Sequence, residues 1–148
     1  MKRRIDIPRR RGQRRHSDDM WVYVAGPYRG KDKKETMDNV QAARVAAIRV
    51  CRLGGFAITP HLLCAGFDFE EGLDDKSLEL SGRDGHNFWL SNLLDLLRQC
   101  DVVYVHHNSH NSHGTQEEVK LAQFLNIPVV YTEQALYQLM IGEETNAD

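Results

Sequence analysis

The feature that most constrains the fold is an alternation. Short runs of β-forming residues are separated by longer stretches whose apolar residues recur at helical spacing. Trp21-Val22-Tyr23-Val24-Ala25, stopped by Gly26-Pro27, reads as a buried strand, and Phe56-Ala57-Ile58-Thr59, stopped by Pro60, reads as a second. Asp101-Val102-Val103-Tyr104-Val105 and Val129-Val130-Tyr131 supply two more. After a charged loop from Lys31 to Glu35, Val40, Ala43, Ala47 and Val50 predict a helix of roughly 15 residues, ended by Gly54-Gly55. Trp89, Leu93, Leu96, Leu97 and Cys100 predict a second amphipathic helix. A third spans about Gln116 to Phe124, ended by Asn126-Ile127-Pro128, and a last one is capped by Thr132 and runs through Met140. Strands that alternate with helices imply crossover connections and a mainly parallel sheet with helices on both faces. The expectation is one α/β domain of Rossmann-like, flavodoxin-like architecture.

Residues 64 to 86 break the alternation. They hold Asp68, Glu70, Glu71, Asp74, Asp75 and Glu79 among Gly66, Gly72, Gly82 and Gly85, a composition that predicts no regular core element. Loops of this length are usually functional lids or disorder.

A chain of 148 residues with 41% apolar composition suits a single core. No apolar run approaches the roughly 20 residues of a membrane span, and no apolar stretch follows the basic start as a signal peptide requires. Cys51, Cys64 and Cys100 are odd in number and form no C-x-x-C pair, which argues against a disulfide framework or zinc knuckle and for a reducing cytoplasm. The net charge of −2 hides an asymmetry: residues 1 to 16 carry eight Lys/Arg against one Asp. Residues 1–19 therefore read as a basic arm and 20–148 as the domain. The arm has no aromatic residue to stack on bases, so a solvated tail is favoured over a nucleic-acid reader, although contact with nucleic acid through residues 1–16 stays open.

In a parallel sheet the segments after Ala25, Thr59 and Val105 emerge at one carboxyl edge, where open α/β sheets bind ligands. Gly26-Pro27-Tyr28-Arg29-Gly30-Lys31 is not a Walker loop, because three residues rather than four separate its glycines and Asp32 follows the Lys. A plain turn and an anion-binding turn explain it equally well, with Arg29 supplying charge-assisted bonds in the second case. There is no G-x-G-x-x-G, and no cofactor is expected. His61 sits at the same edge as either a substrate partner or a cap. His106, His107, His110 and His113 fall within eight residues, but neighbours on a strand face opposite ways and no ligand set is completed, so a polar rim is expected rather than a metal site. Ser112-His113-Gly114-Thr115-Gln116-Glu117-Glu118 brings hydroxyls, backbone N–H groups and carboxylates to a helix start, which capping explains as well as ligand binding. Asp101 reads as a structural acid, Asn92 and Asp95 as a solvated helix face, and Tyr23 as a buried strand residue whose phenol needs a partner.

Tyr23-Val24-Ala25-Gly26-Pro27, Thr59-Pro60-His61, Cys100-Asp101-Val102-Val103 and Ser112-x-Gly114-x-x-x-Glu118-x-x-x-Ala122 stand in one order. This set resembles the nucleoside 2-deoxyribosyltransferase superfamily, and looks closest to its small branch near the 2′-deoxynucleoside 5′-phosphate N-hydrolases, over residues 21 to 135. The resemblance implies a Rossmann-like fold, a small-molecule nucleoside or nucleotide substrate, cleavage of an N-glycosidic bond, and a homo-oligomer whose neighbouring subunit completes the site. It makes Glu118 the nucleophile, sets Ser112 and the N–H groups around Gly114 on a 5′-phosphate, puts Tyr23 and Gly26 beside sugar and base, and places His61 near base or phosphate. Pro27, Tyr28 and Arg29 join the substrate-binding set through the same loop. A carboxylate at C1′ stabilises an oxocarbenium-like state and traps it covalently, and Glu118 at an ordinary pKa of about 4.3 is ionised at neutral pH. One departure matters. The family places a catalytic Asp eight residues before the strand-opening Asp, and Leu93 stands there. On a helix Asp95 and Asn92 point about 200° and 100° away from that position. A shifted register brings in Asp95 as acid, with Asn92 on the substrate; otherwise an acid comes from residues 64 to 86, or the chain hydrolyses slowly or only binds.

Overall fold

The computed structural model describes residues 18–83, 85–106 and 112–142, with backbone alone at 85–87. The basic arm up to residue 17, and His107 and His110 of the histidine group, lie outside the described residues. Four strands, β1 (Trp21–Ala25), β2 (Phe56–Ile58), β3 (Val102–Val105) and β4 (Val129–Val130), form one all-parallel sheet in the order β2-β1-β3-β4. The expected Rossmann-like α/β domain is what the chain forms.

Alternation along the two central strands assigns their side chains to two cores, because successive residues face opposite sides of a sheet. Tyr23, Ala25, Val103 and Val105 pack with Leu97, Cys100, Ala122 and Ile127 on one face. Val22, Val24, Val102 and Tyr104 pack with Ala46, Val50 and Leu136 on the other. Helices α1 (Lys33–Leu53) and α6 (Glu133–Ile141) thus cover one face, and α4 (Gly85–Leu97) and α5 (His113–Phe124) cover the opposite one. Asp101 has the structural role expected of it: its carboxylate accepts the Trp21 N–H at 2.8 Å and pins the start of β1.

Three boundaries differ from expectation. Helix α1 is 21 residues long and starts inside the charged stretch, because Asp32 caps it by accepting the Glu35 N–H at 2.8 Å. Helix α5 begins at His113 rather than Gln116, with Ser112 as N-cap, so part of the supposed loop is the helix's first turn. Residues 64 to 83 are not structureless. A 3₁₀ turn at Phe67–Phe69 and helix α3 (Asp75–Leu80) follow the four-residue helix α2 (Pro60–Leu63), and Leu78 of α3 is only 1% exposed. A six-residue helix with one buried apolar anchor is too short to register as periodicity. Among the described residues no helix is long and apolar enough to cross a membrane.

Candidate functional site

The strand order reverses between β1 and β3, since β2 lies beyond β1 on one side and β4 beyond β3 on the other. A crevice opens at the carboxyl ends of strands flanking such a switch point. Here Ala25 pairs with Val105, and the chains leaving them line a cavity of about 590 Å³ together with α4 and the start of α5.

Glu118 reaches the cavity from the second turn of α5 and is 6% exposed. Among the described residues its Oε2 has no hydrogen-bond partner. Burial pushes its pKa up to about 8, and the neighbouring Tyr23 phenol offsets only part of that rise. The expectation of a carboxylate ionised at neutral pH is therefore corrected, because burial disfavours the charged form. One turn earlier, a Cβ on Gly114 would sit 3.9 Å from Glu118 Oε1, so the glycine keeps open the space over the carboxyl group.

Tyr23 is fully buried in β1 and does not line the cavity; it touches the site through Glu118. Burial first, and the Glu118 charge second, raise its phenol well above the usual value. Among the described residues the Tyr23 hydroxyl meets no partner at full hydrogen-bond geometry, yet it lies close enough to Glu118 for each to shift the other's pKa. Tyr23, expected beside the sugar, is thus set behind the cavity wall, next to the Glu118 carboxyl.

His61 is pinned through one ring nitrogen. Its Nε2 lies 3.0 Å from both the Gly26 and the Pro27 carbonyl oxygens, which makes that nitrogen the protonated one. Burial lowers the ring's pKa, although the two carbonyls oppose it, and Nδ1 is left as a buried acceptor without a partner. The imidazole thus acts as a clamp between α2 and the loop after β1. Gly26 in that loop lies so close to the His106 ring that a Cβ there would force one of the two to shift.

Tyr28 donates to Asp68 Oδ1 at 2.6 Å and accepts the Gly66 N–H at 3.2 Å; burial and that carboxylate push its phenol up to about 12. Arg29, expected to grip an anion, is bound by the chain itself: both terminal nitrogens donate to Asp75, each at 2.9 Å. Ser112 accepts from the Thr115 N–H at 3.4 Å and hydroxyl at 3.1 Å, so capping occupies its oxygen. Gly26, Pro27, Tyr28, Arg29, His61, Ser112, Gly114 and Glu118 all border the one cavity.

Asp95 and Asn92 do not. The Asp95 side chain is 78% exposed and lies 3.7 Å from Arg98, and exposed Asn92 donates to the Phe88 carbonyl at 2.7 Å. Helix α4 keeps the register its apolar spacing predicted, so it is Leu93 that borders the cavity. Two further carboxylates that sequence reasoning did not single out, Glu35 and Asp68, border it too, as do Asn39 and Trp89. Asn39 donates to the Tyr28 carbonyl at 3.0 Å, and the Trp89 Nε1–H is buried without a partner. Asp68 comes from the acid-rich stretch after Cys64, where nothing local distinguishes it from five other acids. Among the described residues no group of three or more His, Cys, Asp or Glu could hold a metal ion.

The fold and cavity define an α/β protein with a buried carboxyl group at its switch point. The chain belongs to the family described as a domain of unknown function (DUF7768), whose model matches residues 20–132. No curated protein and no solved structure matches it.

Proposed function

We propose that this protein cleaves or transfers the N-glycosidic bond of a nucleoside or nucleoside 5′-monophosphate, with Glu118 as nucleophile, as a cytoplasmic homo-oligomer. One observation carries the reading: Glu118 is a buried carboxyl group with an unpartnered oxygen, facing a cavity of nucleoside size where parallel sheets bind ligands. An ionised Glu118 oxygen bonds to C1′ as the C1′–N bond breaks. The electron pair of that bond leaves with the base, which takes up a proton. Water or a second base then displaces the carboxylate from C1′ and regenerates it. Developing positive charge on the sugar favours the ionised carboxylate, which offsets the burial that otherwise keeps its proton on.

Incubation with 2′-deoxynucleosides and their 5′-monophosphates, with free base followed by chromatography, tests the reading. Wild type should release base and Glu118→Gln should lose at least about a thousandfold of that rate, as expected when a covalent nucleophile is removed. Equal release by the two proteins would end the assignment.

A second reading, binding without turnover, is favoured by Leu93 at the cavity wall where an acid is expected and by the proton that burial keeps on Glu118. It predicts nucleoside affinity by calorimetry with no base released.

A further inference from the structure

Arg29 carries the sole Lys or Arg guanidinium or ammonium among the described residues bordering the cavity, which also presents the carboxyl groups of Glu35, Asp68 and Glu118. Its charge is already matched. Asp75, the first residue of α3, takes both terminal guanidinium nitrogens in a fork of two 2.9 Å bonds, and Asp68 Oδ2 lies 4.0 Å from Nε. That fork is the geometry with which an arginine holds a phosphate. The residue delivering the carboxylate is held from two sides. Leu78 buries α3 against the body, and the Tyr28–Asp68 bond ties the preceding turn to the same loop that carries Arg29. The hydroxyl of Ser112 is likewise engaged by Thr115.

The geometry points to Asp75 as a specificity-determining residue: it occupies the anion position of Arg29 from within the chain, and so selects unphosphorylated ligands over their 5′-phosphates. This deepens the glycosidic reading and rests on it for the nucleoside nature of the ligand. A phosphate dianion entering the cavity would have to compete with Asp75 for Arg29, the sole Lys or Arg among the described lining residues, and would approach the Asp68 and Glu35 carboxyl groups on the cavity wall with the displaced Asp75 beside them. Like charges brought together in this way discriminate strongly between partners.

The experiment is calorimetric titration of the full chain with 2′-deoxyadenosine and with 2′-deoxyadenosine 5′-monophosphate, repeated on Asp75→Asn and on Arg29→Gln/Asp75→Asn. Wild type should bind the nucleoside about tenfold or more tightly than the monophosphate, the size expected of a like-charge penalty. Asp75→Asn should erase most of that preference by tightening the monophosphate alone, and the double variant should restore it, because the gain depends on the released guanidinium. A wild type that prefers the monophosphate, or an Asp75→Asn that weakens both ligands equally, overturns the assignment. Base release by wild type with a ligand ratio unmoved by Asp75→Asn overturns it while leaving the glycosidic reading intact. A ratio that moves as expected with no base released supports Asp75 and removes the hydrolytic reading. No binding of either ligand by wild type overturns both.

Discussion

A single buried proton dominates the chemistry at the residue scale. Glu118 holds it to about pH 8, whereas in the unfolded chain the same carboxyl loses it near the reference value of about 4.3. The native state therefore binds this proton more tightly, and ionising the group destabilises the fold. The penalty is absent below the unfolded pKa, grows as pH rises toward 8, and is complete above it. Glu118→Gln removes it, so the variant should be more stable than wild type at pH 9, by up to roughly 4–5 kcal/mol, and close to it at pH 4. Urea unfolding at the two pH values measures this; an advantage no larger at pH 9 than at pH 4 would refute the burial argument. The same proton sets the activity profile. Base release at low substrate should rise with pH through an inflection near 8, because the free protein must lose it to present a nucleophile. Only the resemblance singled out Glu118 from Glu117, and nothing in the sequence indicated its ionisation. The burial that raises its pKa arises on folding, while Tyr23, distant in sequence, offsets part of the rise.

Elements differ in how far local sequence specifies them. The strands β1 and β3 and the cap of α6 are local facts: β-branched runs, a terminating Gly-Pro, and Thr132 accepting the Ala135 N–H at 3.0 Å. Helices α2 and α3 are not. Four residues and six residues are too few to be stable by propensity, and each relies on buried residues of its own, among them His61 in α2 and Leu78 in α3. Leu78→Ala should therefore cost about 2–5 kcal/mol locally, the range for a buried leucine, and free α3 from α4. Limited proteolysis reads this directly: cleavage between residues 64 and 83 should accelerate in the variant while the β1–β3 region stays protected. Unchanged cleavage there would show that α3 is held by its ion pairs instead. Because Asp75 starts α3, the same change should loosen the carboxylate that occupies Arg29.

The two cores behave as one unit at the scale of the whole molecule, because β1 and β3 contribute alternate residues to both. Leu97→Ala on the α4 face and Val50→Ala on the α1 face should each lower the melting temperature. At about 2–4 °C per kcal/mol for a chain of this size, the leucine change should amount to roughly 5 °C or more. Near-UV and far-UV circular dichroism should report one coincident transition in both variants; two separated transitions would mean that the layers unfold independently. The sequence by itself determined the architecture and the edge at which chemistry gathers, since strand and helix periods are local and a parallel sheet sends all its carboxyl ends one way. Only the tertiary structure decided that Asp95 and Asn92 face away from the cavity, that Asp68 and Glu35 border it, that Asp75 holds Arg29, and that Glu118 keeps its proton. Those outcomes depend on which distant groups meet and how much water they exclude, and neither quantity is encoded in the spacing of residues along the chain.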